Sequence, residues 1–209
     1  MEQIISSRYL IRRGLLHFMK RQLYGRKFNS VIDVGVGRAP YRGMIDCKKY
    51  IAVDIERRGN IDDLIIADIN KKLPLDDNSA DLIIMTEVLE HLHCPTLAMS
   101  EMNRILKPNG QIILTTPLLW PIHEEPNDYQ RYTKYGLKKL LSDTGFKNIK
   151  ITGYGNYVLS NVILLMFPLR KKIFAPFVFL LNVIGLIFIK FKFGSSIFQI
   201  SNYVTAEKW

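Results

Sequence analysis

The chain has 209 residues, of which 48% are hydrophobic and 23% charged, with two cysteines and a formal net charge of +10. That balance excludes a disordered, collagen-like or disulfide-stapled chain, and the length suits one domain with a substantial core. The opening residues scatter arginines without a long apolar stretch, so the expected setting is reduced and cytoplasmic with no cleavable signal.

The charge is unevenly placed. Residues 1–28 carry seven Lys/Arg against Glu2, residues 29–143 fourteen against seventeen acids, and residues 144–206 seven against none. The positive excess lies in two flanks around a mildly acidic middle. The first flank, Ile4 to Leu23, reads as an amphipathic helix with Leu10, Leu15, Leu16, Phe18, Met19 and Leu23 among Arg8, Arg12, Arg13, Lys20 and Arg21. A basic helix within residues 1–28 either lies on an anionic membrane or covers a ligand site, and both readings stay open.

Next comes Val31-Ile-Asp33-Val-Gly35-Val-Gly37-Arg-Ala39-Pro40, an apolar run opening into a glycine turn, and then Tyr50-Ile-Ala-Val-Asp54, a second run closing on an acid. Two such strands side by side make a nucleoside-binding crevice at a switch point of strand order. Asp54, 17 residues beyond Gly37, stands where a carboxylate accepts ribose hydroxyls. A nicotinamide fingerprint wants glycine or alanine three places after Gly37, and Pro40 stands there instead, a good first residue for a helix.

The alternation continues. Leu64 to Asp68 is a third short run ending in an acid, Lys72 to Asp81 is a turn-rich loop, and Leu82 to Met85 is a fourth run. Thr86-Glu87-Val-Leu-Glu90-His91 follows, then a helix over Thr96 to Leu106, a stop at Lys107-Pro108-Asn109-Gly110, and a fifth run to Pro117. Strands and helices with short joints predict a parallel α/β sheet covered on both faces.

These residues together resemble the class I S-adenosylmethionine-dependent methyltransferases of the type 11 kind. The resemblance rests on the acid-x-Gly-x-Gly turn, Asp54, "LPLDDNSADLIIMTEVLEHL" and "EMNRILKPNGQIILTTP". It implies a three-layer α/β/α, Rossmann-like, seven-stranded, mostly parallel sheet with an antiparallel last strand, and S-adenosyl-L-methionine as cofactor. By the same resemblance Asp33, Gly35 and Gly37 surround the methionine part of the cofactor. Asp54, with Ile55 after it, holds the ribose, Asp68 and Ile69 read the adenine edge, and Glu87 closes the pocket. Ala39 replaces a third glycine common in the family.

The loop Pro117 to Thr133 gathers a histidine, acids, an arginine and aromatics, and it matches an "HEEPxDYxRYT" signature of a bacterial subset found in cell-surface polysaccharide settings. Here His123 is expected as general base with Asp128 or Glu124 orienting it, and Tyr129, Arg131, His91 and Trp120 as acceptor-binding residues. The bland alternative for this loop is an Asp128–Arg131 salt bridge with Thr133 capping a helix. No metal is expected, because His91, His93 and Cys94 do not share a helix face and no second ligand pair shows zinc-like spacing.

The second flank, residues 158–196, is an insertion. Val158 to Phe167 is apolar, Arg170-Lys-Lys172 interrupts, and Ile173 to Ile189 is a further run broken by Pro176, Asn182 and Gly185. Residues 29–157 and 197–209 are then the methyltransferase domain, the end forming the last strand beside Lys147 to Tyr154. A single membrane crossing would separate that strand from its sheet, leaving an open edge. The insertion is therefore expected to dip into one leaflet or to pack on a partner, a homodimer among the options.

The sequence reading is a methyltransferase peripheral to the inner face of the cell membrane, touching anionic lipid through residues 1–28 and 158–193. Its acceptor is small or lipid-linked, in one version a glycan intermediate of the cell envelope. No nucleic acid partner is expected, since the lysines interrupt aliphatic runs. The alternative is a cofactor-binding or membrane-docked scaffold without catalysis.

Overall fold

The computed structural model describes residues 4–169, 171–191 and 198–209. The expectations for Arg170, for Lys192 and for the start of the last strand at Ser196 lie outside the described residues.

One sheet organises the chain. Its strands are β1 (Lys27–Val34), β2 (Asp46–Asp54), β3 (Leu64–Ile66), β4 (Ala80–Thr86), β5 (Leu106–Pro117), β6 (Phe146–Tyr154) and β7 (Ser201–Lys208). Their order is β3-β2-β1-β4-β5-β7-β6. β1 to β5 pair in parallel, and β7 lies antiparallel between β5 and β6. The mostly parallel α/β sheet, its antiparallel last strand and the helical insertion are thus all present. Strand order reverses between β1 and β4, which opens a crevice at the carboxyl ends of the strands.

Alternating side chains divide the core. Ile32, Val34, Ile83, Met85, Ile112 and Leu114 face helices α2 (Pro95–Ile105) and α3 (Lys134–Asp143), meeting Met99, Met102, Leu137 and Leu141. On the opposite face Val31, Leu82, Ile84 and Ile113 meet Met19 and Leu23 of helix α1 (Tyr9–Leu23). Each side chain buried this way contributes roughly 1.5–3 kcal/mol. Thr133 caps α3, its hydroxyl accepting from the Gly136 amide at 3.1 Å.

Three expectations change. The helix foreseen from Pro40 is a single 3-10 turn, Arg42–Met44, because the connection from Val34 to Asp46 is too short for a helical crossover. Lys107 to Gly110 is not a loop but the start of β5. It carries a register shift opposite Ala80 and Leu82, accommodated by Asn109 at φ +62°. The first helix starts at Tyr9 rather than Ile4, and it does not cover the crevice. Its apolar face is spent on the sheet and on the insertion, leaving arginines and lysines outside.

The insertion is a helical pair, α4 (Tyr157–Met166) and α5 (Ala175–Phe191), that shares a separate apolar cluster with Leu10 and Ile11 of α1 and with Ile200. Asn182, which interrupts the apolar run in sequence, is buried and donates its amide to the Ile4 and Ser6 carbonyls, at 2.5 and 3.0 Å. Gly185 lets α5 approach α1, since a Cβ there would lie 2.3 Å from Leu10 Cδ1. The outer face of α5 remains apolar and open, with Phe177, Leu180 and Ile187 about half exposed. By length and composition alone, Lys172–Ile189 is long and apolar enough to cross a membrane.

Candidate active site

The crevice holds a cavity of about 310 Å³, at the small end of the roughly 300–1,000 Å³ usual for ligand pockets. Gly35, Gly37, Asp54, Ile55, Asp68, Ile69, Glu87, His91 and Glu124 line it, joined by Arg58, Asn70, Val88, His93 and Asn127.

The turn after β1 is built on backbone. Gly35 and Val36 donate their amides to the Val53 carbonyl at 2.8 and 3.2 Å, binding the turn to β2. Gly35 sits at φ +65°, and a Cβ there would lie 2.2 Å from Val88 Cγ2, so conformation and space both require glycine. Ala39, in place of the third glycine, still adopts φ +51° and donates to the Val36 carbonyl.

Asp54 ends β2 with both carboxylate oxygens anchored. Gly37 N–H donates to Oδ2 and Ile55 N–H to Oδ1, each at 2.8 Å. Oδ1 also accepts from the Glu56 amide at 3.4 Å, and Oδ2 retains a lone pair to receive a hydroxyl from the cavity. Asp68 is oriented by the Asn70 amide and side chain at 2.9 and 3.0 Å, contacts that hold its carboxyl below the usual range. Asp54 and Asp68 thus share one hollow, flanked by apolar Ile55 and Ile69, which suits a ribose and a purine.

Asp33 lies deeper and does not line the cavity. It is buried on β1 and accepts a hydrogen bond from the Tyr50 hydroxyl at 2.8 Å. Burial raises its carboxyl to about 7, against the lowering effect of Tyr50, and the charge of Asp54 adds to the rise. Glu87 follows β4 at φ +54° and accepts from the Thr115 hydroxyl at 2.8 Å; its removal from water raises its carboxyl to about 6.

The acceptor-side loop folds over the other end. The Asp128 carboxylate is the hinge of that loop: Arg131 grips it with two bonds of 2.6 and 2.7 Å, and the His123 amide donates to it at 3.0 Å. Arg131 therefore holds Asp128 far below the ordinary carboxylate range. His123 Nδ1 lies 3.2 Å from the same carboxylate and 3.3 Å from the Pro121 carbonyl. Both neighbours only accept, so Nδ1 carries the proton and Nε2 presents a lone pair. Burial pushes the His123 imidazole below its usual value, which keeps it neutral.

Several roles shift accordingly. Of the two candidates for orienting His123, Asp128 does so, whereas Glu124 pairs with Arg58 at 3.4 Å across the cavity mouth. Arg131, expected to bind acceptor, is committed to Asp128 and to the Gln130, Trp120 and Pro121 carbonyls, and so orders the loop. Tyr129 donates to Asn127 Oδ1 at 2.8 Å and meets His93 Nε2 at 3.0 Å. Trp120 stands edge-on to Phe167 at the end of α4, with ring centroids 4.6 Å apart, and edge-on to His123 at 6.4 Å. Neither His123, Trp120 nor Arg131 lines the cavity itself.

Sequence reasoning passed over Arg58, Asn70 and Asn127 as site residues. Asn70, two places after Asp68, carried a readable turn signal. Arg58 and Asn127 carried none, since only the fold brings their loops together. The sequence test for metal ligands weighed His91, His93 and Cys94. The fold instead gathers Glu90, His91 and His123, whose donor atoms all lie within 4.8 Å of one another.

Comparison with known proteins agrees with this geometry. Residues 32–114 match a family described as a methyltransferase domain. The chain is 32% identical over 136 residues to an uncharacterized protein of Methanocaldococcus jannaschii, covering 58% of this chain and 65% of that one. It is 27% identical over 118 residues to a malonyl-[acyl-carrier protein] O-methyltransferase of Alcanivorax borkumensis, covering 49% and 40%. The chain thus spans less than two thirds of these relatives' lengths.

Among solved structures, a SAM-dependent methyltransferase from Archaeoglobus fulgidus superposes with a TM-score of 0.62 at 18% identity, covering 96% of this chain and 94% of that one. A Haemonchus contortus phosphoethanolamine N-methyltransferase 2, solved with S-adenosyl-L-methionine, gives 0.61 at 16% identity, covering 94% and 52%. The sheet order and these matches give the chain the fold of the S-adenosylmethionine-dependent methyltransferases, and residues 32–114 match their methyltransferase domain.

Proposed function

We propose that the protein transfers the methyl group of S-adenosylmethionine to a hydroxyl of a small or lipid-linked acceptor, a glycan intermediate of the cell envelope being one such molecule. The reading places it on the cytoplasmic face of the cell membrane, without nucleic acid. The cofactor's sulfonium supplies the electrophilic carbon, and the protein's task is alignment and proton removal. Asp54 and Asp68 hold the nucleoside, and the loop fixed by Asp128 and Arg131 presents the neutral His123 imidazole as the proton acceptor. An oxygen acceptor is also what the name of the Alcanivorax relative records for that protein.

The observation that carries the lipid side of the reading is Trp120. Its ring meets Phe167 of the insertion on one side and faces His123 on the other, so the apolar hairpin adjoins the acceptor loop. The hairpin also exposes Phe177, Leu180 and Ile187 near Lys171 and Lys172. An exposed apolar face with basic neighbours suits an anionic leaflet, at about 1 kcal/mol for each cation near the surface. α1, whose apolar face is buried, contributes only its cations.

Release of S-adenosylhomocysteine with a membrane extract as acceptor source tests turnover. The full chain releases it, and His123→Ala loses most of the rate while retaining cofactor affinity. Equal rates in the two proteins would remove His123 from the chemistry. Co-sedimentation with anionic liposomes tests location: Phe177→Glu with Leu180→Glu abolishes it at unchanged melting temperature. A homodimer that dissociates in that variant, with no liposome binding by either protein, would assign the hairpin to self-association.

A further inference from the structure

Among the described residues, Glu90 is a carboxylate buried with neither oxygen partnered. It follows β4 in the 3-10 turn Leu89–His91, and its side chain is fully buried. Leaving such a group unmatched costs several kcal/mol unless a proton or a cation joins it. Two imidazoles face it: Glu90 Oε1 lies 3.7 Å from His91 Nε2 and 3.9 Å from His123 Nε2.

Both rings point lone pairs inward. His91 Nδ1 sits 2.5 Å from the Asn127 carbonyl, an acceptor only, so its proton is on Nδ1. His123 Nδ1 is held the same way by Asp128 and Pro121, which leaves both Nε2 atoms unprotonated. Three side chains able to offer an electron pair converge on one point, where a cation can take the place of the proton that burial would otherwise put on Glu90. Each imidazole already has the outer hydrogen bond, to a carbonyl or a carboxylate, that orients metal-bound histidines.

From this geometry we infer that Glu90, His91 and His123 form a seat for one divalent transition-metal cation. A cation about 2.0–2.2 Å from each donor sets adjacent donors about 3.0–3.5 Å apart, so the donors, now within 4.8 Å of one another, must draw together by roughly an ångström at the widest pair. Two nitrogens and one carboxylate select zinc, manganese, cobalt or iron over calcium. Three protein ligands leave a coordination position open, the pattern of a catalytic rather than a structural site. His91 also lines the cofactor cavity, so the open position adjoins the methyl donor.

This inference rests on the methyl-transfer reading and deepens it: the acceptor is an oxygen ligand able to meet a cation. With the cation seated, His123 Nε2 is a ligand rather than the proton acceptor, and the cation takes over that task by lowering the pKa of the acceptor hydroxyl. The O–H bond ionises, an O–CH3 bond forms as the S–CH3 bond breaks, and the products are a methyl ether, S-adenosylhomocysteine and a proton released to solvent.

The test needs neither cofactor nor acceptor. Chelator-treated full chain is titrated with Co2+, read by visible absorption and calorimetry. The expected result is one equivalent bound, displaced by Zn2+, with affinity at least 100-fold weaker in His91→Ala and in His123→Ala. Glu90→Gln, which keeps the side chain's shape, weakens it at least 10-fold and gives unfolding curves showing an intact fold. Absence of Co2+ binding, or equal binding in wild type and all three variants, overturns the cation seat. Turnover that persists in excess chelator would do so as well, leaving methyl transfer intact, whereas loss of S-adenosylmethionine binding in the metal-loaded chain would strike the underlying reading instead.

Discussion

The Gly37 amide donates to Asp54 Oδ2 at 2.8 Å, so the turn that closes β1 and the acid that ends β2 form one rigid unit at the cavity wall. A carboxylate fixed this way is ready for a ribose without further ordering, and its loss removes a charge-assisted contact. Asp54→Ala is expected to weaken S-adenosylmethionine binding by about 1.5–3 kcal/mol, roughly ten- to a hundredfold, in calorimetric titration. Unchanged affinity would place the ribose elsewhere.

The two glycines of the turn should separate by experiment. Gly35→Ala places a Cβ 2.2 Å from Val88 in a left-handed backbone, and the expected loss is about 2–4 kcal/mol from strain plus overpacking. Gly37 also has positive φ, but a Cβ there meets nothing within 4 Å. Gly37→Ala should cost only about 1 kcal/mol in urea unfolding. An equal cost at both positions would contradict the close packing of the turn on Val88.

Asp33 sets a pH dependence. Its folded pKa, about 7, is raised by burial above the unfolded value near 4. Between these values the folded state binds the extra proton, so stability is greatest below pH 4 and falls as pH rises toward 7, by at most about 1.4 kcal/mol per unit. Unfolding of the cofactor-free protein across pH 5 to 8 should show this fall, and Asp33→Asn should make it shallower, leaving the contribution of Glu87, whose carboxyl burial raises to about 6. A variant with an unaltered slope would assign the pH dependence to another group.

Arg131 holds Asp128 with two bonds, and Asp128 is almost fully buried. Removing the guanidinium leaves that charge unpaired, so Arg131→Ala is expected to cost about 3 kcal/mol and to loosen His123. Arg131→Lys should recover part of this, because an ammonium cannot make the planar fork. The kinetic signature is a lower kcat with cofactor affinity unchanged. A weakened acceptor KM at full stability and kcat would instead return Arg131 to acceptor binding.

Much of this fold was legible because short apolar runs separated by turn residues mark the cores of parallel strands, though β1, β2 and β5 each begin several residues earlier than their apolar runs. The Ile32, Ile83 and Ile112 positions pack one face, and Val31, Leu82 and Ile113 the other, as buried strands dictate. The missing helix after Pro40 and the bulged start of β5 were less legible, because connection length and sheet register overrode local preference. In the site, Asp54 could be placed from the end of its strand, and Asp68 from the family resemblance. The choice between Asp128 and Glu124 could not, since it depended on which way a loop turned over Arg58. The apposition of Glu90 with His123, 33 positions apart, was likewise invisible until β4 and the loop after β5 were seen side by side.

The most direct measurement is a crystal structure of the full chain with S-adenosylhomocysteine. The account predicts both ribose hydroxyls within hydrogen-bond reach of Asp54, the adenine amino group at Asp68, and the sulfur directed toward His91. Density for the nucleoside in another groove, such as that between α1 and β6, with Asp54 and Asp68 untouched, would contradict it.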